Sequence, residues 1–290
     1  MAIAPKLIRG TPGIALKRLM WSLVKRREFE YETVTPQGWR ISGHTRDWIQ
    51  RMLYYFGLWE PNLSAWIVSR LHSGDVFVDV GANVGYFTLL TARCVGPAGK
   101  VVAIEAMPAI FEHLARHVRD NRLTNVRLAN KAAVGPGAPP EVELFWGSEE
   151  NVGSTGMIGR DSVDPGVRVG ASTLADILTD EECARARLIK IDVEGVEPET
   201  VHGLDLESGR FRQDLELIVE VAYDPKRMAQ RAWLFEYLRG LGFCAYVLPE
   251  THRFRHYAYP DSARERPRRV GELPTRMHNV IFSRIDAAQL

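Results

Sequence analysis

Asp79, Gly81, Asn83 and Gly85 stand at alternate positions of Asp75-Val76-Phe77-Val78-Asp79-Val80-Gly81-Ala82-Asn83-Val84-Gly85-Tyr86-Phe87-Thr88. The spacing sets a carboxylate at the end of an apolar run and glycines in the turn after it. Val76, Phe77, Val78 and Val80 suit a strand covered on both faces. Gly81 and Gly85 bracket a tight turn where backbone passes close to a ligand, and the small Ala82 leaves room. Open α/β sheets bind ligands at the carboxyl ends of their strands. An acid there suits a cationic amino group far better than a phosphate. The expected ligand is S-adenosylmethionine, whose methionine part carries an ammonium. The G-x-G-x-x-G fingerprint lacks its third glycine, and no lysine closes a P-loop, so NAD and ATP are disfavoured.

A second acid, Glu105, ends the next apolar run roughly 20–25 residues after the glycine loop, the offset at which a carboxylate meets ribose hydroxyls. Met107 follows and could lie against an adenine face through its soft sulfur. A third group lies in Leu188-Ile189-Lys190-Ile191-Asp192-Val193-Glu194-Gly195-Val196-Glu197. A lysine inside an apolar strand needs a partner, and alternation puts Lys190 and Asp192 on one face, with Glu220 of the next strand as a further partner. Asp192 sits at the strand's mouth, where a general base would take a hydroxyl proton from a methyl acceptor. His278 and Asn279 open the last strand at the same mouth, and a histidine there is a second candidate base. Asp192, Glu194, Glu220 and Asn279 could serve as oxygen ligands for a divalent cation, but nothing in their spacing demands one and no metal is expected.

Strands alternate with helices from Asp75 onward, which predicts a parallel sheet with crossover helices. The expected strands are Val76–Val80, Lys100–Glu105, Val126–Val134, Leu188–Val193, Leu215–Val221, Phe243–Leu248 and an antiparallel Asn279–Ser283. Helices are expected over Gly85–Val95, Pro108–Asn121, Thr173–Leu178 and from about Pro225 to Leu241. Residues 136–172 read as an insertion, with a strand over Glu141–Trp146 and a glycine-serine loop over Gly147–Gly159. Residues 1–70 form an appendage: a hairpin turning at Pro36-Gln37-Gly38, then helical periodicity over Asp47–Phe56 and Asn62–Leu71. Between residues 249 and 278 lies a stretch rich in Arg, His, Tyr and Pro, expected to hang over the crevice as a lid. Its His252, Arg255 and Tyr257 are candidates to grip an acceptor through planar donors and stacking rings.

Composition narrows the partners. The 290 residues carry a formal net charge of +1, which gives no global footprint for nucleic acid. Cys94, Cys183 and Cys244 show neither metal nor redox spacing and read as reduced thiols of a cytoplasmic protein. Ile14 to Val24 is apolar-rich but short and interrupted by Lys17 and Arg18, so it does not span a bilayer. It reads as an amphipathic helix packed on the domain, in preference to one resting on a membrane surface.

The glycine loop, Ile104-Glu105 and the Ile-Lys-Ile-Asp-Val-Glu-Gly core of Leu188–Glu197 together resemble the FkbM family of S-adenosylmethionine-dependent methyltransferases. Phe56-Gly57-Leu58-Trp59-Glu60-Pro61 and His278-Asn279-Val280-Ile281-Phe282 are similar to its flanking patterns. The resemblance implies a class I methyltransferase fold, Rossmann-like and doubly wound, with seven strands and the last one antiparallel. It implies that Asp79, Gly81, Asn83, Gly85 and Tyr86 hold the methionine end of the cofactor. Glu105, Ala106 and Met107 would take the ribose and base, and Glu60 and Asp192 would border the same pocket. It also implies O-methylation of a sugar, glycan or polyketide-type product, with Asp192, His278, Lys190 and Glu194 as catalytic candidates and Glu220 and Asn279 beside the acceptor. N-methylation of an amine and a non-catalytic cofactor-binding module are the alternatives.

Overall fold

The computed structural model describes residues 13–145, 166–221, 225–250, 253–260, 265–272 and 278–290. Helix α1 (Ile14–Val24) leads to a hairpin of β1 (Glu30–Val34) and β2 (Arg40–His44), then helices α2 (Trp48–Phe56) and α3 (Pro61–Arg70). Asp47 caps α2 by accepting from the Gln50 N–H at 2.8 Å, and Pro61 opens α3, where a missing N–H is harmless. The buried His117 fastens the hairpin to the rest of the chain. Its Nε2 accepts from the Ser42 N–H at 2.9 Å, and its Nδ1 lies 2.7 Å from the Val84 carbonyl.

The α/β part follows as β3 (Val76–Val80), α4 (Tyr86–Val95), β4 (Lys100–Ile104), α5 (Pro108–Asp120) and β5 (Val126–Ala129). Here the chain departs from the single strand expected over Val126–Val134. It leaves the sheet at Asn130, whose Nδ2 donates to the carbonyls of Glu105 (2.8 Å) and Ala106 (3.0 Å). The apolar run resumes as β6 (Ala132–Val134), which joins β7 (Glu141–Leu144) and β8 (Val167–Thr173) in a side sheet ordered β6-β8-β7. The expected loop over 147–159 lies outside the described residues. Short helices α6 (Leu174–Ile177) and α7 (Asp180–Arg185) lead into β9 (Ala186–Ile191), α8 (Glu197–His202), β10 (Glu216–Val221), α9 (Met228–Gly240) and β11 (Cys244–Leu248). The helix expected from Pro225 begins instead with a single 3-10 turn, Pro225–Arg227.

The stretch expected to be an irregular lid contains helix α10 (Phe254–Ala258) and strand β12 (Arg268–Val270), before β13 (His278–Ser283). The main sheet is ordered β12-β11-β13-β10-β9-β3-β4-β5. β3, β4, β5, β9 and β10 pair in parallel, and β13 runs antiparallel to both β10 and β11. Seven strands thus take the order of a class I methyltransferase, and β12 adds an eighth on the edge. Arg268 and Arg269 are exposed, so β12 carries none of the apolar alternation from which a strand is read.

Alternation along the strands divides the core into two layers. Val76, Val78, Val80, Ile189, Ile191, Leu217 and Val219 face Leu174, Val201, Leu234 and Leu238. Phe77, Val101, Leu188, Ile218, Tyr246 and Ile281 face Leu63, Ile67, Phe87 and Leu89 from α3 and α4. At the amino ends of the parallel strands, buried Glu216 takes two bonds from Arg70 (2.8 and 2.6 Å), an ion pair with Arg187 (2.9 Å) and a bond from the Ser283 hydroxyl (2.7 Å). The crevice lies at the opposite end.

Candidate active site

Two residues further towards the crevice, which is carboxyl-ward on the parallel strands and amino-ward on the antiparallel β13, the face shared by Phe77, Leu188, Ile218 and Ile281 carries a polar side chain in place of each apolar one. The positions are Asp79, Lys190, Glu220 and Asn279, with Asp192 one step beyond Lys190. Register holds them side by side: Asp79 lies opposite Lys190, Lys190 opposite Ile218, and Glu220 opposite Asn279. Period-two alternation therefore produces both the apolar layer and the polar row above it. Glu60, the residue before α3, closes the row from the helical layer. Its Oε1 accepts from Asn279 Nδ2 at 3.0 Å.

The glycine loop joins this row to Glu105. Gly81 and Ala82 donate to the Ile104 carbonyl (2.9 and 3.0 Å), and Asp192 N–H donates to the Val80 carbonyl (3.0 Å). Gly81 has φ +77°, and a Cβ there would lie 1.8 Å from the Asp192 carbonyl oxygen. Gly85 has φ +90°, and its missing side chain makes room for Leu114. Asn83, also in the left-handed region at φ +50°, donates its N–H to Glu105 Oε2 at 2.8 Å, and Met107 N–H donates to Glu105 Oε1 at 2.9 Å. Glu105 thus clamps the loop to the turn after β4. Burial pushes its carboxyl up to about 7, although the Met107 and Asn83 amides oppose the shift. Met107 is 1% exposed and packs in the core. Ala106 is half-buried, and the Tyr86 hydroxyl turns towards α3, 2.9 Å from Ser64 Oγ.

Asp79 itself is 1% exposed. Its Oδ2 accepts from the Thr88 hydroxyl at 2.7 Å, and its Oδ1 has no hydrogen-bond partner. A buried carboxylate oxygen without a donor is costly, and an incoming ammonium supplies one. Burial holds this carboxyl above its ordinary range, against the pull of Lys190. The residues therefore fit the cationic methionine end of S-adenosylmethionine.

Lys190 is buried with its Nζ 2.7 Å from Asp192 Oδ2 and 5.1 Å from the centre of the Phe87 ring. Burial alone would discharge it, but Asp192, Asp79 and Glu60 together raise it above its ordinary value. Its hydrogen-bonded partner is the Asp192 carboxylate. Asp192 keeps 28% of its side chain exposed and is the more exposed member of the Lys190–Asp192 pair. Repulsion from Asp192, followed by burial and then Glu60 and Glu194, raises Glu220 well above the ordinary carboxyl range. Burial, with Asp192 and Glu250 adding to it, pushes Glu60 up to about 8 despite Lys190.

Of the lid candidates, Tyr257 is buried, with its ring 5.9 Å from Phe56 and 6.4 Å from Trp59. Arg255 is exposed on α10. His252 lies outside the described residues. His278 pairs through its backbone with Val221, and its side chain is likewise outside them. Two supporting acids were not singled out from the sequence. Glu197 Oε1 accepts from Gly195 N–H (2.8 Å) and Val193 N–H (3.3 Å), holding the turn in which Glu194 sits at φ +57°. Glu250 Oε2 accepts from the Asn62 and Leu63 N–H groups (3.0 and 3.1 Å), which ties the start of the lid to the amino end of α3. An acid in the first turn of a helix is the only signal that could have found Glu197.

The family model described as the methyltransferase FkbM domain matches residues 79–248. The chain belongs to the FkbM methyltransferase family. The match begins at Asp79 and takes in Glu105, the Lys190–Asp192 strand and Glu220; Glu60 and Asn279 lie outside it. The FkbM chain is 30% identical over 169 residues to methyltransferase sdnD of Sordaria araneosa, covering 48% of this chain and 64% of that protein. It is 28% identical over 157 residues to methyltransferase 1 of Beauveria bassiana, covering 48% and 61%. The chain thus spans somewhat less than two thirds of the length of these relatives. A crystal structure of methyltransferase FkbM from Methylobacillus flagellatus superposes with a TM-score of 0.44 at 14% identity, over 74% of this chain and 44% of that one. The M. jannaschii TYW2 structure in complex with AdoMet gives 0.43 at 17%, over 89% and 88%. Both scores are too low to bear on function.

In this FkbM chain, oxygens of Asp192, Glu194 and Glu220 lie within 4.8 Å of one another. Acidic groups often gather so without an ion, and the Lys190 ammonium already neutralises part of this charge. The raised carboxyls have a consequence for stability. Glu60 at about 8 and Glu105 and Glu197 at about 7 hold protons in the folded state that the unfolded chain, at 4.5, has released. Their contribution is therefore complete below pH 4.5 and is lost as pH rises through 7 to 8. The thermal midpoint of the ligand-free protein is expected to fall as pH rises from 4.5 to about 8, and Glu60→Gln should flatten the fall. Melts across the interval check this; a midpoint rising there in the wild type contradicts it.

Proposed function

We propose that the chain is an S-adenosylmethionine-dependent methyltransferase acting on a hydroxyl of a sugar, glycan or polyketide-type small molecule. The observation that carries this reading is the buried Asp79 carboxylate, with one oxygen lacking a donor, beside a glycine loop and a partly exposed Asp192 at the end of the neighbouring strand. Asp79 and the loop from Gly81 to Gly85 would hold the methionine end. Glu105 keeps lone pairs for ribose hydroxyls beyond its two backbone bonds.

When bound, the cofactor supplies an electrophilic methyl group. Asp192 accepts the hydroxyl proton as the new C–O bond forms, and Lys190 keeps the carboxylate oriented. Glu60 and Asn279 brace the far wall. Proximity and orientation provide most of the remaining acceleration. Amine methylation is the second reading, favoured by the surplus of carboxylates around Asp192, Glu194 and Glu220, which suits a cationic acceptor.

The test incubates the protein with S-adenosylmethionine and parallel panels of hydroxyl-only and amino-bearing saccharides, read by mass spectrometry. Gain of one methyl group on a hydroxyl-only acceptor supports the first reading. Transfer confined to amines selects the second. Cofactor binding with no transfer to any acceptor indicates a non-catalytic module.

A further inference from the structure

Charge is unevenly divided along the chain. The first 27 residues hold seven of the 37 lysines and arginines and none of the 36 acids, leaving 30 basic against 36 acidic residues in the remainder. Helix α1 carries part of this charge and an unusual apolar face. Lys17 and Trp21 are its buried side chains. Trp21 packs on Tyr55, Phe56 and Phe254, and Lys17 Nζ donates to the Ala258 carbonyl at 3.3 Å. Met20 and Val24 are partly buried against the same core. Leu16, Leu19 and Leu23 are 49%, 55% and 65% exposed, three of the eight large hydrophobic side chains exposed among the described residues. Their spacing of three and four residues sets them in one stripe. Arg26 and Arg27 are exposed just past the carboxyl end of the helix, where Lys25 is half-buried, and Arg18 is exposed on another side of it, with no acid before Glu28.

We propose that this leucine stripe docks the protein on an anionic lipid surface. Leucines on one side of a helix and a basic cluster at its end suit one that lies in the plane of an anionic bilayer interface. A second copy of the chain is the poorer occupant, because a two-fold contact through α1 would bring two acid-free basic segments together. The helix also braces the lid. Through Phe254 and Ala258 it holds α10, whose Tyr257 interacts with Glu60 at the wall of the crevice. Docking would therefore set the crevice mouth close to the lipid surface, suited to acceptors that reside there. This last point rests on the proposed methyl transfer; the docking itself does not.

The test is co-sedimentation of the full chain with vesicles of phosphatidylcholine alone or mixed with phosphatidylglycerol. Binding is expected only to the mixed vesicles, and it should weaken in high salt. Substituting Lys25, Arg26 and Arg27 together by alanine should reduce partitioning by about 10²-fold, at roughly the energy of one surface-bound cation each. L16S/L19S/L23S should abolish detectable binding while leaving the thermal midpoint unchanged, since those side chains are exposed. Failure of the wild type to bind mixed vesicles overturns the proposal, as does equal binding by the leucine variant. A dimer in gel filtration that the leucine variant dissociates, with no vesicle binding, assigns the stripe to self-association instead.

Discussion

Gly81→Ala is expected to remove cofactor binding and to destabilise the fold. At φ +77° an alanine is strained, and its Cβ would lie 1.8 Å from the Asp192 carbonyl oxygen and 2.9 Å from the carbonyl carbon. Both obstacles are backbone, so no rotamer change relieves them. The left-handed conformation costs about 1–2 kcal/mol, and overpacking adds roughly 1–3 kcal/mol. Relief requires β3 and β9 to part where Asp192 N–H meets the Val80 carbonyl at 3.0 Å. That movement would displace Asp79, Lys190 and Asp192 together. Chemical denaturation should show a loss of stability of about 2–5 kcal/mol, and titration with S-adenosylhomocysteine should show affinity reduced by at least ~10²-fold, about 2.7 kcal/mol. Wild-type affinity in a folded Gly81→Ala protein would mean that the turn does not shape the site.

Asp192→Asn is expected to lower the chemical step by ~10²–10⁴-fold, the usual effect of removing a general base. The substitution keeps the shape of the side chain and an oxygen for the Lys190 ammonium, which lies 2.7 Å away. The fold and cofactor affinity should therefore survive. A second readout follows the charge of Asp192. Repulsion from Asp192 is the largest cause of the raised Glu220 carboxyl. Without the Asp192 charge, Glu220 ionises at lower pH, and the residual activity should shift its pH profile downward. Unchanged turnover with an unchanged profile would leave catalysis to positioning alone.

The parts of this site that follow local rules were legible in the sequence. The glycine loop was legible because a buried run, a carboxylate and two glycines can be read without knowing the rest of the chain. The pairing of Lys190 with Asp192 followed from alternation alone, and the 2.7 Å contact agrees with it. What sequence could not supply was contact between distant segments. Asn130 and Lys131 only weaken the run Val126–Val134 as a strand, and the break is fixed by a pair of hydrogen bonds from Asn130 to Glu105 and Ala106. β12 exists because Val270 and its neighbours find Ala245, Tyr246 and Val247, not because Arg268 and Arg269 favour a strand. Likewise Thr88 reads as an ordinary helical residue until its hydroxyl is seen against Asp79. Tyr86 and Met107 were both expected to touch the cofactor, Met107 through its soft sulfur. In the fold, the Tyr86 hydroxyl faces Ser64 and Met107 lies in the core.

The central claim is that Asp79 and the loop to Gly85 receive a cationic, adenosine-bearing cofactor. Isothermal titration of S-adenosylhomocysteine into the wild type and into Asp79→Asn tests it most directly. The variant retains the shape of the side chain and an acceptor for the Thr88 hydroxyl but removes the charge. The wild type should bind one equivalent and should not bind NAD. Asp79→Asn should bind at least ~30-fold more weakly, the lower bound for losing one partner of a buried charged pair. A wild type that binds NAD but not the homocysteine compound, or an Asp79→Asn protein with undiminished affinity, would contradict the account.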